Sequence, residues 1–91
     1  MNSGKYKLVF SEKAIKQLRK MDRHQAVLIT RWLYLNIDGA NDPRAHGKIL
    51  KSNLAGFWRY RIGNYRIIVE IEDSQLVVLA INIGHRRTIY K

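Results

Sequence analysis

Between Phe57 and Ile71 the chain reads FWRYRIGNYRIIVEI, two stretches in which apolar and charged residues alternate on either side of Gly63-Asn64. Alternation with a period of two predicts strands. A two-residue Gly-X connection predicts a type II′ hairpin, because glycine takes the positive φ that lets the turn follow the right-handed twist of the strands. That loop sets Ile62 opposite Tyr65, Arg61 opposite Arg66, Tyr60 opposite Ile67 and Arg59 opposite Ile68. Opposed residues share a face, so Trp58, Tyr60, Ile62, Tyr65, Ile67 and Val69 form a core face. Phe57, Arg59, Arg61, Arg66, Ile68 and Glu70 form the other, an arginine platform.

The remaining pattern builds outward from this hairpin. Lys5 to Phe10 alternates, with Tyr6, Leu8 and Phe10 on one side, and predicts a short N-terminal strand. Ser11 is an N-cap type, and Ala14, Ile15, Leu18 and Met21 follow at helical spacing on a strongly basic helix. Asp22 caps a second helix from about Arg23 to Ile37, whose stripe of Leu28, Ile29, Trp32, Leu33 and Leu35 covers the sheet. Trp32 belongs to that stripe by its spacing, and a core role suits it better than base stacking. From Asp38 to Ser52 the turn residues Gly39, Asn41-Asp42-Pro43 and Gly47 predict a surface loop. Glu72-Asp73-Ser74 predicts a turn, and the almost wholly apolar Leu76 to Ile83 an interior strand. The expected fold is α+β: an N-terminal strand, an αα-hairpin, then a three-stranded antiparallel meander, with the helices packed on one face.

Ninety-one residues with no repeat or composition break predict a single domain over 1–91. Charge changes the picture most. Seventeen Lys and Arg against seven Asp and Glu give +10, spread along the whole chain, which points to a polyanionic partner. With no apolar run near the ~20 residues of a spanning helix and no lipidation motif, nucleic acid is favoured over a membrane. The absence of cysteine removes disulfides and thiolate zinc sites, and MNSGKYK lacks the apolar stretch of a signal peptide, so a cytoplasmic protein is expected. His24, His46 and His85 have no metal-site spacing, so neither metal nor other cofactor is expected.

Against that charge, the arginine platform becomes candidate chemistry. Like charges directly opposite on a sheet are unfavourable, so folding alone gives little reason to set Arg61 against Arg66. An anion does, since guanidinium groups fork onto phosphate oxygens. The alternative is a solvated polar face that happens to use arginine. Arg44, His46, Lys48 and Lys51 make the preceding loop basic and suited to an RNA backbone, although His46 by itself is better explained as a loop residue bonded to local backbone. After the last strand comes Gly84 and then HRRTIYK. His85 supplies a ring able to accept and donate protons near neutrality and Tyr90 a phenol. A basic tail with an incidental His and Tyr explains those seven residues equally well.

Taken together, the strand, the helical hairpin, the loop DPRAHGK, the hairpin FWRYRIGNYRIIVEI and the closing GHRRTIY resemble the RelE/ParE toxin superfamily, in particular its RelE-like branch. The resemblance covers nearly the full length. It implies a small basic ribonuclease of a type II toxin-antitoxin system that cleaves mRNA in the ribosomal A site and is held inactive by a cognate antitoxin. It places Arg59, Arg61, Arg66 and Arg86 at the family's basic active-site positions and Tyr90 at its C-terminal tyrosine, with Arg87 adding to the RNA contacts. The implied reaction is metal-independent attack of a ribose 2′-OH on the adjacent phosphate, with Arg61, Arg66 and Arg86 stabilising the phosphorane and Tyr90 stacking on a base or assisting proton transfer.

The best-known RelE enzymes carry lysine where this chain has Arg59 and Arg61, and arginine does not give up its proton. His85 is the nearest replacement in sequence for the missing acid or base, with Glu70 a poorer second. Implied partners are an acidic antitoxin, mRNA and the 70S ribosome, with no membrane and no homo-oligomer in the antitoxin's absence. Two alternatives remain: a ParE-like DNA gyrase poison, for which the loaded platform with His85 and Tyr90 has no use, and a non-catalytic RNA- or ribosome-binding domain.

Overall fold

The computed structural model describes residues 5–85. Five strands, β1 (Lys7–Phe10), β2 (Lys48–Ile49), β3 (Trp58–Ile62), β4 (Tyr65–Glu72) and β5 (Val77–His85), form one sheet in the order β1-β5-β4-β3-β2. β1 runs parallel to β5 and the other pairs are antiparallel. Helices α1 (Glu12–Lys20) and α2 (Arg23–Asn36) lie between β1 and β2 in the chain. The α+β arrangement matches the expected one, with β2 added inside the stretch that reads as loop.

Local chemistry starts and stops these elements where the sequence suggests. The Ser11 hydroxyl accepts from the Ala14 amide at 3.0 Å and the Asp22 carboxylate from the Gln25 amide at 3.3 Å, each capping its helix. Gly63 sits at φ 58°, and Leu76 is the one described non-glycine residue with positive φ. Asn64 therefore has negative φ, which is the type II′ pattern. The β3–β4 register is the one the alternation dictates: Trp58 opposite Val69, Arg59 opposite Ile68, Tyr60 opposite Ile67, Arg61 opposite Arg66 and Ile62 opposite Tyr65.

The core lies between the helices and one face of the sheet, with Leu8, Ala14, Ile29, Leu33, Ile37, Tyr60, Ile67, Val69, Val78, Ala80 and Ile83 buried. The α2 stripe is narrower than expected. Ile29 and Leu33 are fully buried and Trp32 packs against the cluster, but Leu28 and Leu35 are exposed on its flank, as Ile15 is on α1. The pattern of α2 is apolar nearly all round, so its letters alone leave the buried side broad.

β5 carries a one-residue irregularity. From Glu72 to Val69 its partners run Val77 to Ala80, then Ile68 faces Asn82, so Ile81 is an extra residue. The bulge lets Val78 and Ala80 before it and Ile83 after it all face the core. Gln17 of α1 covers it: its amide nitrogen donates to Asn82 Oδ1 at 2.7 Å and its oxygen accepts from the Ile83 amide at 2.6 Å. The stretch after α2 guards the β1 edge, where the Tyr6 amide donates to Ala40 O at 2.9 Å and the Asp38 carboxylate accepts from the Leu8 amide at 3.0 Å. Among the described residues no helix is long and apolar enough to cross a membrane.

Candidate functional site

Two residues of β2 decide the site's shape. Lys48 pairs with Arg59 and Ile49 with Trp58, so Lys48 joins the platform face while Ile49 joins the core side. A stretch that reads as loop thus adds a fourth cation to the row begun by Arg59, Arg61 and Arg66. Arg61 is exposed, and Arg59 and Arg66 are half-buried. Beside them a cleft of about 350 Å³ is lined by Ala45, His46, Gly47, Lys48, Arg59 and Arg61.

The wall opposite β3 is the turn Pro43–His46, held from three sides. The buried Tyr60 hydroxyl donates to Pro43 O at 2.7 Å, and burial pushes that phenol well above its ordinary value, so it remains a donor. Gly47 lies so close to the hairpin that a Cβ there would meet the Arg59 carbonyl and stand 2.8 Å from the Trp58 ring. The third restraint is Arg44. Its guanidinium forks onto Asp73 with two 3.0 Å bonds while the Tyr6 hydroxyl donates to the same carboxylate at 2.7 Å, and it lies 5.8 Å from the Trp58 ring centroid. The Arg44 fork, seconded by Tyr6, holds the Asp73 carboxyl below the usual carboxylate range. Arg44 is therefore committed to the β4–β5 turn and does not line the cleft.

The other expected site residues divide sharply. His46 reaches the cleft, its ring edge-on to Trp32 with centroids 5.8 Å apart. Lys51 is exposed beyond β2 and does not line the cleft. His85, expected as the acid or base near the sheet's end, pairs with Tyr65, 5.6 Å between ring centroids, on the helix-bearing face. The cause is the bulge at Ile81. Without the extra residue His85 would share the face of Arg66; with it, Gly84 faces Arg66 and His85 turns to the other side. Arg86, Arg87 and Tyr90 lie outside the described residues.

Glu70 does share the platform face, but it lies about 13 Å along β4 from Arg66 at the rise of an extended strand. A hydrogen bond with Glu72 lifts its carboxyl above the ordinary value, so these two acids interact with each other. Among the described residues no three His, Cys, Asp or Glu side chains group so as to hold a metal ion. The arrangement can neutralise and orient an extended polyanion along β2, β3 and β4, with most of its hydrogen-bond donors on rigid strands.

A family model described as ParE toxin of type II toxin-antitoxin system, parDE, matches residues 8–90. The chain is 27% identical over 86 residues to toxin RelG of Mycobacterium tuberculosis, covering 94% of this chain and 97% of the relative. Among solved structures, the toxin-antitoxin complex RelBE2 from M. tuberculosis superposes with a TM-score of 0.83 at 25% identity, covering 93% of this chain and 95% of that one. The isolated Escherichia coli RelE toxin superposes with a TM-score of 0.68 at 22% identity, covering 88% and 83%, a likeness of fold.

Proposed function

This chain belongs to the ParE toxin family of type II toxin-antitoxin systems, within the RelE/ParE superfamily, and from that membership we propose that it is a metal-independent endoribonuclease that cleaves mRNA, in the ribosomal A site, and so stops translation. The observation that carries the reading is the row of Lys48, Arg59, Arg61 and Arg66 on one sheet face, with a cleft at its β2–β3 end. A folding sheet gains nothing from opposing Arg61 to Arg66; a phosphodiester in transit to a phosphorane gains donors for each of its oxygens.

In this mechanism the 2′ oxygen attacks phosphorus, the bond to the 5′ oxygen breaks, and the products are a 2′,3′-cyclic phosphate and a free 5′-OH. Arg61 and Arg66 stabilise the dianionic phosphorane, each well-placed donor being worth about a hundredfold or more. Arg59 and Lys48 hold the flanking backbone. Arg86, with Arg87 and Tyr90, is carried into the site by the resemblance of GHRRTIY to the family's closing motif. The face holds few groups able to read base edges, which supports a reaction whose RNA is positioned by the ribosome.

A cognate antitoxin with an acidic segment is the proposed inhibitor. The net charge of +10 favours such a partner, and a structurally similar protein was solved as a toxin-antitoxin complex. The second reading, poisoning of DNA gyrase, draws on the name of the matching family model. Primer extension on a defined mRNA, with and without translating ribosomes, separates them. Cuts in codon register that need the ribosome and vanish in Arg61→Ala bear out the proposal. Intact RNA in every tube, with loss of supercoiling activity when gyrase is added, overturns it in favour of the gyrase reading.

A further inference from the structure

The proposed cleavage has a gap in its chemistry. Attack by a 2′-OH requires a group that accepts its proton, and Arg59 and Arg61 in the cleft keep theirs, which leaves Lys48 and His46 as the titratable residues among those described there. The other titratable candidates are placed elsewhere. His85 stands on the opposite face against Tyr65, and Glu70 is down β4, engaged with Glu72. Tyr60 is buried and donates to Pro43, and Asp73 is held by Arg44 and Tyr6. Of Lys48 and His46, His46 carries the side-chain type suited to exchanging protons near neutrality.

We propose that His46 is the general base of this site, a catalytic residue that takes the proton from the attacking 2′-OH. The inference rests on the nuclease reading above. Its position is a built one: the turn that carries it is pinned by Tyr60 at Pro43, by the Arg44–Asp73 fork and by the close seating of Gly47 on Trp58. The imidazole itself leans edge-on against Trp32, which restricts its swing, and His46 lines the same cleft as Arg59 and Arg61. The step balances: one ring nitrogen takes the 2′-OH proton as the O2′–P bond forms, the P–O5′ bond breaks, and the 5′ oxygen takes a proton from water. The imidazolium then returns its proton to solvent. Among the described residues lining the cleft the charged ones are Lys48 from β2 and Arg59 and Arg61 from β3, and α2 sets the uncharged Trp32 against the ring.

The test is single-turnover cleavage of ribosome-bound mRNA by the full chain across pH 5 to 9, comparing wild type with His46→Gln, His46→Phe and Arg61→Ala. Binding is read in parallel on a non-cleavable message with a 2′-O-methyl group at the cut site. General-base catalysis contributes roughly 10²–10⁴. Both His46 variants should therefore lose at least about a hundredfold in rate, keep binding within about threefold, and lose the rise in rate that wild type shows as imidazole deprotonates. His46→Phe preserves an aromatic edge against Trp32, so a purely structural role would spare it. Wild-type rate and pH profile in His46→Phe, with Arg61→Ala inactive, would overturn the His46 assignment and leave the nuclease reading standing. No cleavage by wild type would overturn both.

Discussion

Arg61 and Arg66, directly opposed across a two-residue turn, are the residues whose placement follows most completely from the sequence. Two alternating strands and a Gly-Asn connection leave one register, and the register forces the two guanidinium groups together. Arg44 shows the opposite case: nothing local distinguishes it from Arg59, yet a carboxylate 29 residues away claims it. The Asp73 carboxyl is held low by Arg44 and then by Tyr6. The tie it forms is accordingly at full strength above the ordinary unfolded carboxylate value of about 3.9 and is lost as pH falls through the lower folded value. A carboxyl-carbon NMR titration should show the Asp73 midpoint below the ordinary range, and Asp73→Asn should remove the accepting charge and shift the His46 and Gly47 resonances at neutral pH. A midpoint at the usual carboxylate value with no such shifts would mean that Arg44 does not hold this loop in solution.

At the scale of elements, what was legible had a period and what was hidden did not. The two helix caps and both faces of the β3–β4 hairpin could be read because each rests on a few adjacent residues. β2 has two residues, Lys48 and Ile49, too few to show alternation, and its surroundings of Gly, Pro and Asn read as loop; hence Lys48 looked like a loop cation and is a platform residue. The β5 bulge was hidden for another reason. Val77 to Ile81 is apolar at every position, so the run looks the same with or without an extra residue, and the change of face it brings shows only beyond it, at His85. Gln17 is the long-range signature of that bulge. Replacing it with Leu leaves the Ile83 amide and the Asn82 side chain without their partner, which should cost about 1–3 kcal/mol and lower the denaturant midpoint with little change in slope. An unchanged midpoint would show that water or a rearranged ladder satisfies the bulge.

Across the whole molecule, one side of the sheet is spent on the core and much of the other on charge. The helices, the bulge and Tyr60 all serve the first side, and in doing so they hold β2, β3 and β4 rigid enough for their outward cations to act as a preorganised set. On the proposed reading, the excess of ten positive charges favours the approach of RNA or an acidic inhibitor, an effect on encounter that weakens with salt. The central claim is that this cationic face is where a phosphodiester is cleaved. Its most direct test is the single-turnover rate on ribosome-bound mRNA for wild type and Arg61→Ala, with thermal unfolding followed on the same samples. A fall of at least about a hundredfold, with unfolding unchanged or raised by relief of the Arg61–Arg66 repulsion, is the expected result. A rate within about threefold of wild type would contradict the account, because it would place the chemistry somewhere other than this face.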